Sequence, residues 1–292
     1  MIAIASSAPA PTREKIIGHL QKKVSASRLS LFLQCQLKFF FRYIAGLTKS
    51  KTPALHVGGT VHAVLKAWNK ARWKSQPLTL KELHDLYSKA WTDVGDDPVQ
   101  WEPGEEDEER KTGWRLVETY IRESNIPADS KPEAVEVPVE ADLHHHGLPT
   151  LIGVLDLVQA GKIINYKTSG QTPNAENVAH TNEVQTSIYA VLYREATGRR
   201  ETGIELHHLV KLKNPKLVIT ALDPMSDQQQ TRLFHLMEAY VDGLDRRDFV
   251  PSPGLQCASC EFFNECRGWS QWLKKEAGRL LALAVRGRPL HR

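Results

Sequence analysis

Apolar residues recur along this chain with two periods, and the switch between them separates helical from extended stretches. In SASRLSLFLQCQLKFFFRYIAGL, positions 29, 32, 33, 37, 40 and 44 follow a helical spacing, Ser25 and Ser27 are candidate N-caps, and Gly46 ends the run. That spacing places Cys35 on a helix. HVGGTVHAVLKAWNKARW, LTLKELHDLYSKAWTDV and ERKTGWRLVETYIRES predict further helices, the last ending before Pro127. The period then shortens to two. EAVEVPVEADL alternates, LHHHGLP turns, TLIGVLDLVQA extends, Gly161 turns the chain again, and KIINYKTS completes an antiparallel meander. A strongly periodic helix at 178–197, strands at 203–212 and 216–221, and a long helix at 226–246 follow. This order predicts an α/β fold, with a mixed sheet core flanked by helices and a helical insertion at about 70–130.

Composition narrows the class without choosing a function. Of 292 residues, 41% are hydrophobic and 25% charged, the balance of a globular chain rather than a disordered one. Lys and Arg number 38 against 34 Asp and Glu, and a net charge of +4 is too mild to mark a dedicated nucleic-acid binder. The basic residues gather at both ends, Arg13 to Arg28 and Lys274 to Arg292, while EPGEEDEE at 102–109 reads as a solvated helix start or loop. No apolar run approaches the roughly 20 residues of a membrane span, and the N-terminus lacks the form of a signal peptide, so a cytoplasmic location without membrane attachment is expected. Four cysteines are too few for a disulfide scaffold. Their placement is more telling: Cys35 stands alone, and Cys257, Cys260 and Cys266 cluster in CASCEFFNEC.

The candidate chemistry lies in the meander. Asp156 interrupts the apolar strand LIGVLDLV, and Lys167 ends the strand across the Gly161 turn. Charges at such positions are costly to bury unless paired or bound to a cation. They read either as a structural ion pair or as a site where a carboxylate holds Mg²⁺ or Mn²⁺ on a phosphate while the lysine orients or activates water. His62 follows a Gly pair on its helix, and Gln185 and Tyr189 in QTSIY fall one turn apart on one face.

Taken in order, SASRLSLFLQC, GTVHAVL, GVLDL, NYKTSG, QTSIY and the closing C-x2-C-x5-C resemble the RecB-type branch of the PD-(D/E)XK nuclease superfamily. The members with an iron–sulfur cluster, the AddB nuclease domain and the CRISPR-associated adaptation nucleases, resemble it most closely. The resemblance spans residues 25–268. It implies a restriction-endonuclease-like core in which His62, Asp156, residue 165 and the Tyr166 carbonyl bind metal and Lys167 is catalytic. Gln185 and Tyr189 would support the site and contact the strand. It also implies that Cys35, Cys257, Cys260 and Cys266 ligate a 4Fe-4S cluster that pins the C-terminal segment to the first helix. Four thiolates suit such a cluster or tetrahedral zinc, and one remote cysteine with a clustered three is less like the paired units of zinc ribbons. The implied layout is a flexible basic tail at 1–24, a nuclease domain at 25–268, and a basic C-terminal helix and tail at 269–292.

One position departs from the family. The strand ending in lysine carries Asn165 where the family has Asp or Glu. An amide oxygen coordinates a hard cation without contributing charge. Three explanations stand: a substitution made to block cleavage, a naturally weakened or inert member, or replacement by another acid, with Glu136 and Glu140 the nearest candidates. The function implied is that of a metal-dependent DNA nuclease acting on single strands or ends, in repair, recombination or CRISPR adaptation alongside helicase, recombination or adaptation proteins. The rivals are a catalytically inert iron–sulfur DNA-binding or regulatory subunit and a zinc-binding structural protein. The insertion would roof a strand channel.

Other side chains carry plainer readings. His144, His145 and His146 occupy a turn whose successive residues point different ways, and of His207 and His208 on an alternating strand at most one should face inward. Phe39, Phe40, Phe41 and Tyr43 read as core and cluster packing. Trp269 and Trp272 would either cover the cluster or stack on bases.

Overall fold

The computed structural model describes residues 12–269 apart from 94, 96 and 97. Helix α1 (Arg13–Lys22), capped by Thr12, leads directly into strand β1 (Lys23–Ser25). The flexible tail expected through residue 24 is therefore corrected from Thr12 onward. Ile17 and Leu20 give α1 a short apolar face that is buried in the core, and the flanking basic residues hide this face in the sequence. Residues 1–11 and most of the expected C-terminal helix, 270–292, lie outside the described residues.

The single helix expected after Ser25 is broken. Ser25 caps α2 (Ala26–Gln34), Cys35 is extended at φ −163° and ψ 109°, and α3 (Gln36–Phe39) runs into a π-helical turn at Phe40–Ile44. Cys35 thus sits at a joint rather than within a helix. The joint frees the N–H of Leu37, which donates to Val250 O at 3.1 Å and ties the new helix start to the C-terminal segment. The break and the π turn keep Phe39, Phe40 and Phe41 all buried, as their core reading requires.

Helix α4 (Pro53–Trp73) starts with Pro at its first turn behind the cap Thr52. Its Gly58 lies so close to the sheet that a Cβ there would meet Thr168 Oγ1 at 2.8 Å. Helices α5 (Leu80–Thr92) and α6 (Glu105–Glu123) follow, and the acidic block forms the first turn of α6 as expected, where the helix dipole favours it. The meander is β2 (Ala134–Ala141), β3 (Thr150–Gln159) and β4 (Lys162–Ser169). A short helical turn, α7 (Val178–Thr181), and the 15-residue α8 (Glu183–Thr197) precede β5 (Gly203–Val210) and β6 (Lys216–Leu222). Helix α9 (Asp227–Arg246) and the short α10 (Phe263–Arg267) complete the described chain.

The six strands form one mixed sheet in the order β1, β3, β4, β5, β6, with β2 on the other edge of β3. Strands β1 and β3, and β4 and β5, are parallel, and the remaining pairs antiparallel. Each face carries a core. On one, α1, α2, α8 and α9 pack over Leu151, Leu155, Ile163 and Ile204. On the other, α4, α5 and α6 pack over Val135, Leu157, Ile164 and Tyr166. Covering both faces buries all eight residues of β5. This corrects the expectation for His207 and His208, which are 0% and 6% exposed: alternation still directs them to opposite faces, but both faces are interior. The helices of the insertion pack against the sheet. Apolar side chains of α5 and α6, such as Leu83, Tyr87, Leu116 and Tyr120, are drawn into the second core.

Candidate active site

The sheet forks between β3 and β4. These strands pair only through Leu157↔Ile164, Val158↔Ile163 and Gln159↔Lys162, after which β4 continues alongside β5. One edge of β3 is taken by β2 throughout, while the other holds β1 at Thr150–Ile152 and β4 at Leu157–Gln159, leaving residues 153–156 between them without a ladder. Asp156 stands where the ladder stops. Its Oδ2 accepts the peptide N–H of Tyr166 at 3.0 Å and the side-chain amide of Asn165 at 2.7 Å. A side chain has replaced the main-chain partner, and the strands diverge around it.

A cleft of about 1090 Å³ opens over this fork, lined by α4, β2, β3, β4 and α8. Helix α4 contributes His62, whose ring meets Tyr166 edge-on at 5.8 Å. Strand β4 contributes Lys167, whose Nζ donates to Gln185 Oε1, and Gln185 Nε2 in turn donates to Tyr189 OH at 3.0 Å. The helical spacing thus brings Gln185 to the lysine and Tyr189 behind Gln185. Leu55 and Val154, 61% and 41% exposed, give the cleft an apolar wall.

Burial sets the electrostatics. It raises the Asp156 carboxyl above the ordinary range, with Glu136 adding to the shift and His62 and the Tyr166 N–H opposing it. It lowers the Lys167 ammonium, against the pull of Asp156. Two residues that both prefer less charge in this setting are held side by side.

His62, Glu136 and Asp156 each present a ligating atom, all within 4.8 Å of one another. One imidazole nitrogen and two carboxylates form a donor set suited to Mg²⁺ or Mn²⁺. Asn165 is used differently: its amide N–H₂ donates to Asp156, while its Oδ1 is buried without a partner among the described residues. Of the two acids considered as replacements, Glu136 reaches the cluster. Glu140, although at the cleft margin, pairs with Lys23 at 2.7 Å.

The four cysteines converge elsewhere. Cys35, Cys257, Cys260 and Cys266 line one apolar cavity of about 260 Å³ with Phe41 and Phe262. The Cys266 thiol is raised by burial and by the other three cysteines. Arg42 and Lys49 reach Glu261 and Glu265 at 2.5 Å across the same junction. Trp269 packs edge-on against Phe40 and Phe41 at 5.6 and 5.5 Å, covering the junction, while Trp272 lies outside the described residues. His144, His145 and His146 form an exposed turn away from the cleft.

Comparison with known proteins bears on the fold. The crystal structure of a candidate exonuclease from Eubacterium rectale superposes with a TM-score of 0.54 at 14% identity, covering 98% of this chain and 96% of that one. A second structure, SSO0001, aligns at a TM-score of 0.33 and 13% identity over 88% and 96% of the respective chains, too distant to bear on the argument. No curated protein matches the chain. The family profile of the PD-(D/E)XK nuclease superfamily matches residues 23–267, from β1 through the last cysteine. A sheet forked at an aspartate, a lysine two residues beyond the strand's acid position, and a profile match over most of its length together make this chain a member of the PD-(D/E)XK nuclease superfamily.

Proposed function

We propose that the protein is a divalent-metal-dependent nuclease of the RecB-like branch that hydrolyses DNA phosphodiesters in single strands or at strand ends, within repair, recombination or CRISPR adaptation. The observation that carries this reading is the convergence of His62, Asp156, Lys167, Gln185 and Tyr189, from four separate elements, on one cleft at the sheet fork. His62 and Asp156, with a further carboxylate, would hold the metal. Bound there, Mg²⁺ or Mn²⁺ would neutralise charge building on the scissile phosphate and favour deprotonation of the attacking water. The protein's own groups do the rest. Asn165 and the Tyr166 N–H fix the Asp156 carboxylate from one side. Gln185, itself oriented by Tyr189, aims the Lys167 Nζ, whose burial eases exchange of a proton with water. The apolar wall at Leu55 and Val154 favours unpaired bases, which can lie against it, over a duplex whose bases are stacked inside.

The cysteines are proposed to hold a 4Fe-4S cluster with an architectural role. The four thiols line one apolar cavity, and one remote cysteine with a clustered three suits such a cluster better than the paired units of zinc ribbons.

The test is degradation of end-labelled single-stranded DNA with Mn²⁺. Lys167→Ala should lower the rate by about 10²–10⁴-fold without changing the melting temperature. Chelation of the divalent metal should abolish activity. Equal rates for the parent and Lys167→Ala would remove the catalytic reading and leave a DNA-binding subunit.

A further inference from the structure

Strand β2 contains a feature that its alternating sequence does not explain. Glu136 adopts φ +50°, a left-handed conformation that L residues other than Asn and Asp seldom take, and here it falls inside a strand. The register on either side, Val135↔Leu157 and Val137↔Leu155, sets Glu136 across from Asp156. The strands change sides at this pair. Val135 and Leu157 belong to the core beneath α4, whereas Leu155 and Ala141, of the same parity, belong to the opposite core. Regular alternation would keep residues of one parity on one face. The turnover at Glu136 therefore opens the fork and brings this carboxylate to the cleft beside Asp156 and His62.

Position 165 complements this arrangement. Asn165 is only 4% exposed, its amide nitrogen is committed to Asp156, and its Oδ1, one amide width away, is buried without a partner among the described residues. An aspartate there would face the Asp156 carboxylate at the distance now spanned by a hydrogen bond. As it stands, the cluster contains two carboxylates and one imidazole, with Lys66 Nζ at 3.4 Å from Glu136. We propose that Glu136 supplies the second metal-binding carboxylate of this centre, and that Asn165 is a positioning residue that clamps Asp156 rather than a ligand. The backbone strain at Glu136 holds that carboxylate in place. This inference rests on the reading of the cleft as a Mg²⁺ or Mn²⁺ centre.

The test is Mn²⁺ binding to the full chain, measured by electron paramagnetic resonance of the free ion, with thermal melting recorded in parallel. Glu136→Gln should weaken binding at least tenfold. Glu140→Gln, at the Lys23 pair, should stay within twofold of the parent. Glu136→Gly removes both the carboxylate and the strain, so it should lose Mn²⁺ while melting no lower than the parent, an outcome a purely structural role for Glu136 would not give. Should Glu136→Gln fail to fold, Glu136→Gly carries the same comparison. Unchanged Mn²⁺ affinity in Glu136→Gln or Glu136→Gly would overturn the assignment. So would a parent that binds no Mn²⁺ while Asn165→Asp binds it, which would return the second carboxylate to position 165 and leave the nuclease reading intact. Absence of binding in parent, Asn165→Asp and Asp156→Asn alike would instead remove the metal centre itself.

Discussion

The lysine at the fork depends on a neighbour whose hydrogen bonds go to Lys167 and Tyr189. Gln185 accepts from Lys167 Nζ and donates to Tyr189 OH, so both ends of its amide are fixed. Replacing it with leucine keeps the volume but leaves a half-buried ammonium without an acceptor. Gln185→Leu should lower kcat about 10–100-fold, the usual effect of removing a supporting partner, with KM for single-stranded DNA nearly unchanged. Steady-state kinetics on a labelled oligonucleotide separate the two constants, and a change confined to KM would make Gln185 a substrate contact instead. The residues of this site differ in how far the sequence exposes them. His62, Asp156, Lys167, Gln185 and Tyr189 are legible because each sits at a fixed offset within its own element. Glu136 is legible only as one of two acids, since EAVEVPVEADL alternates evenly across both. What separates Glu136 from Glu140 is a backbone turnover set by pairing with β3 and by two cores that meet there, and neither is encoded within β2.

At the scale of elements, a polar chain links the helical insertion to β4, the strand that carries Lys167. Lys162 and His207 bind the two oxygens of Glu205 at 2.6 and 2.9 Å, and His207 reaches Tyr120 OH at 3.1 Å. Asn69 donates to Tyr166 OH at 2.8 Å and is itself held by Arg72 at 2.7 Å. Tyr166 is thus anchored by its ring on the α4 and α6 side while its peptide N–H holds Asp156. The sequence presents α5 and α6 as an insertion because their periodicity breaks the run toward the meander. Their role as the second face of the sheet emerges only when Tyr87, Leu116 and Tyr120 are seen packing with Tyr166. Hydrogen bonds from His207 and Lys162 lower the Glu205 carboxyl from 4.5 to about 2. A carboxyl depressed on folding stabilises the protein above its unfolded value, and that contribution fades as pH falls from about 4.5 toward 2. Glu205→Gln should flatten this acid limb in urea midpoints measured across pH. Glu205→Ala, which leaves His207 Nε2 buried without its partner while Nδ1 keeps Tyr120, should cost about 1–3 kcal/mol at neutral pH. An acid limb identical to the parent's in Glu205→Gln would assign the acid sensitivity to other carboxylates.

At the scale of the whole molecule, the two ends of the nuclease fold meet at the cysteines. The helical period of SLFLQCQLKFFF places residue 35 within a helix because the apolar spacing continues across it, but the chain bends there to serve a partner more than 200 residues away. Such a bend answers to tertiary contact and leaves no local signal beyond the cysteine itself. The ion pairs across the junction are modest. The Arg42–Glu261 and Lys49–Glu265 pairs are partly exposed, and exposed pairs contribute about 0–1 kcal/mol each. A cluster bound by all four thiols would close a loop from Cys35 to Cys257, 222 residues long. By the chain-entropy relation used for disulfides, that closure stabilises the fold by about 5 kcal/mol. For a protein of this size such a loss lowers the melting temperature by about 10–20 °C. Cys266→Ser should therefore abolish the visible sulfur-to-iron absorbance of the purified protein and produce a melting shift of that order. Arg42→Ala, which removes only the ion pair, should shift melting by no more than about 4 °C and leave the spectrum intact. If instead both substitutions produce the same small shift and the parent is colourless, the junction is held by packing and ion pairs alone, and the thiols ligate no cluster.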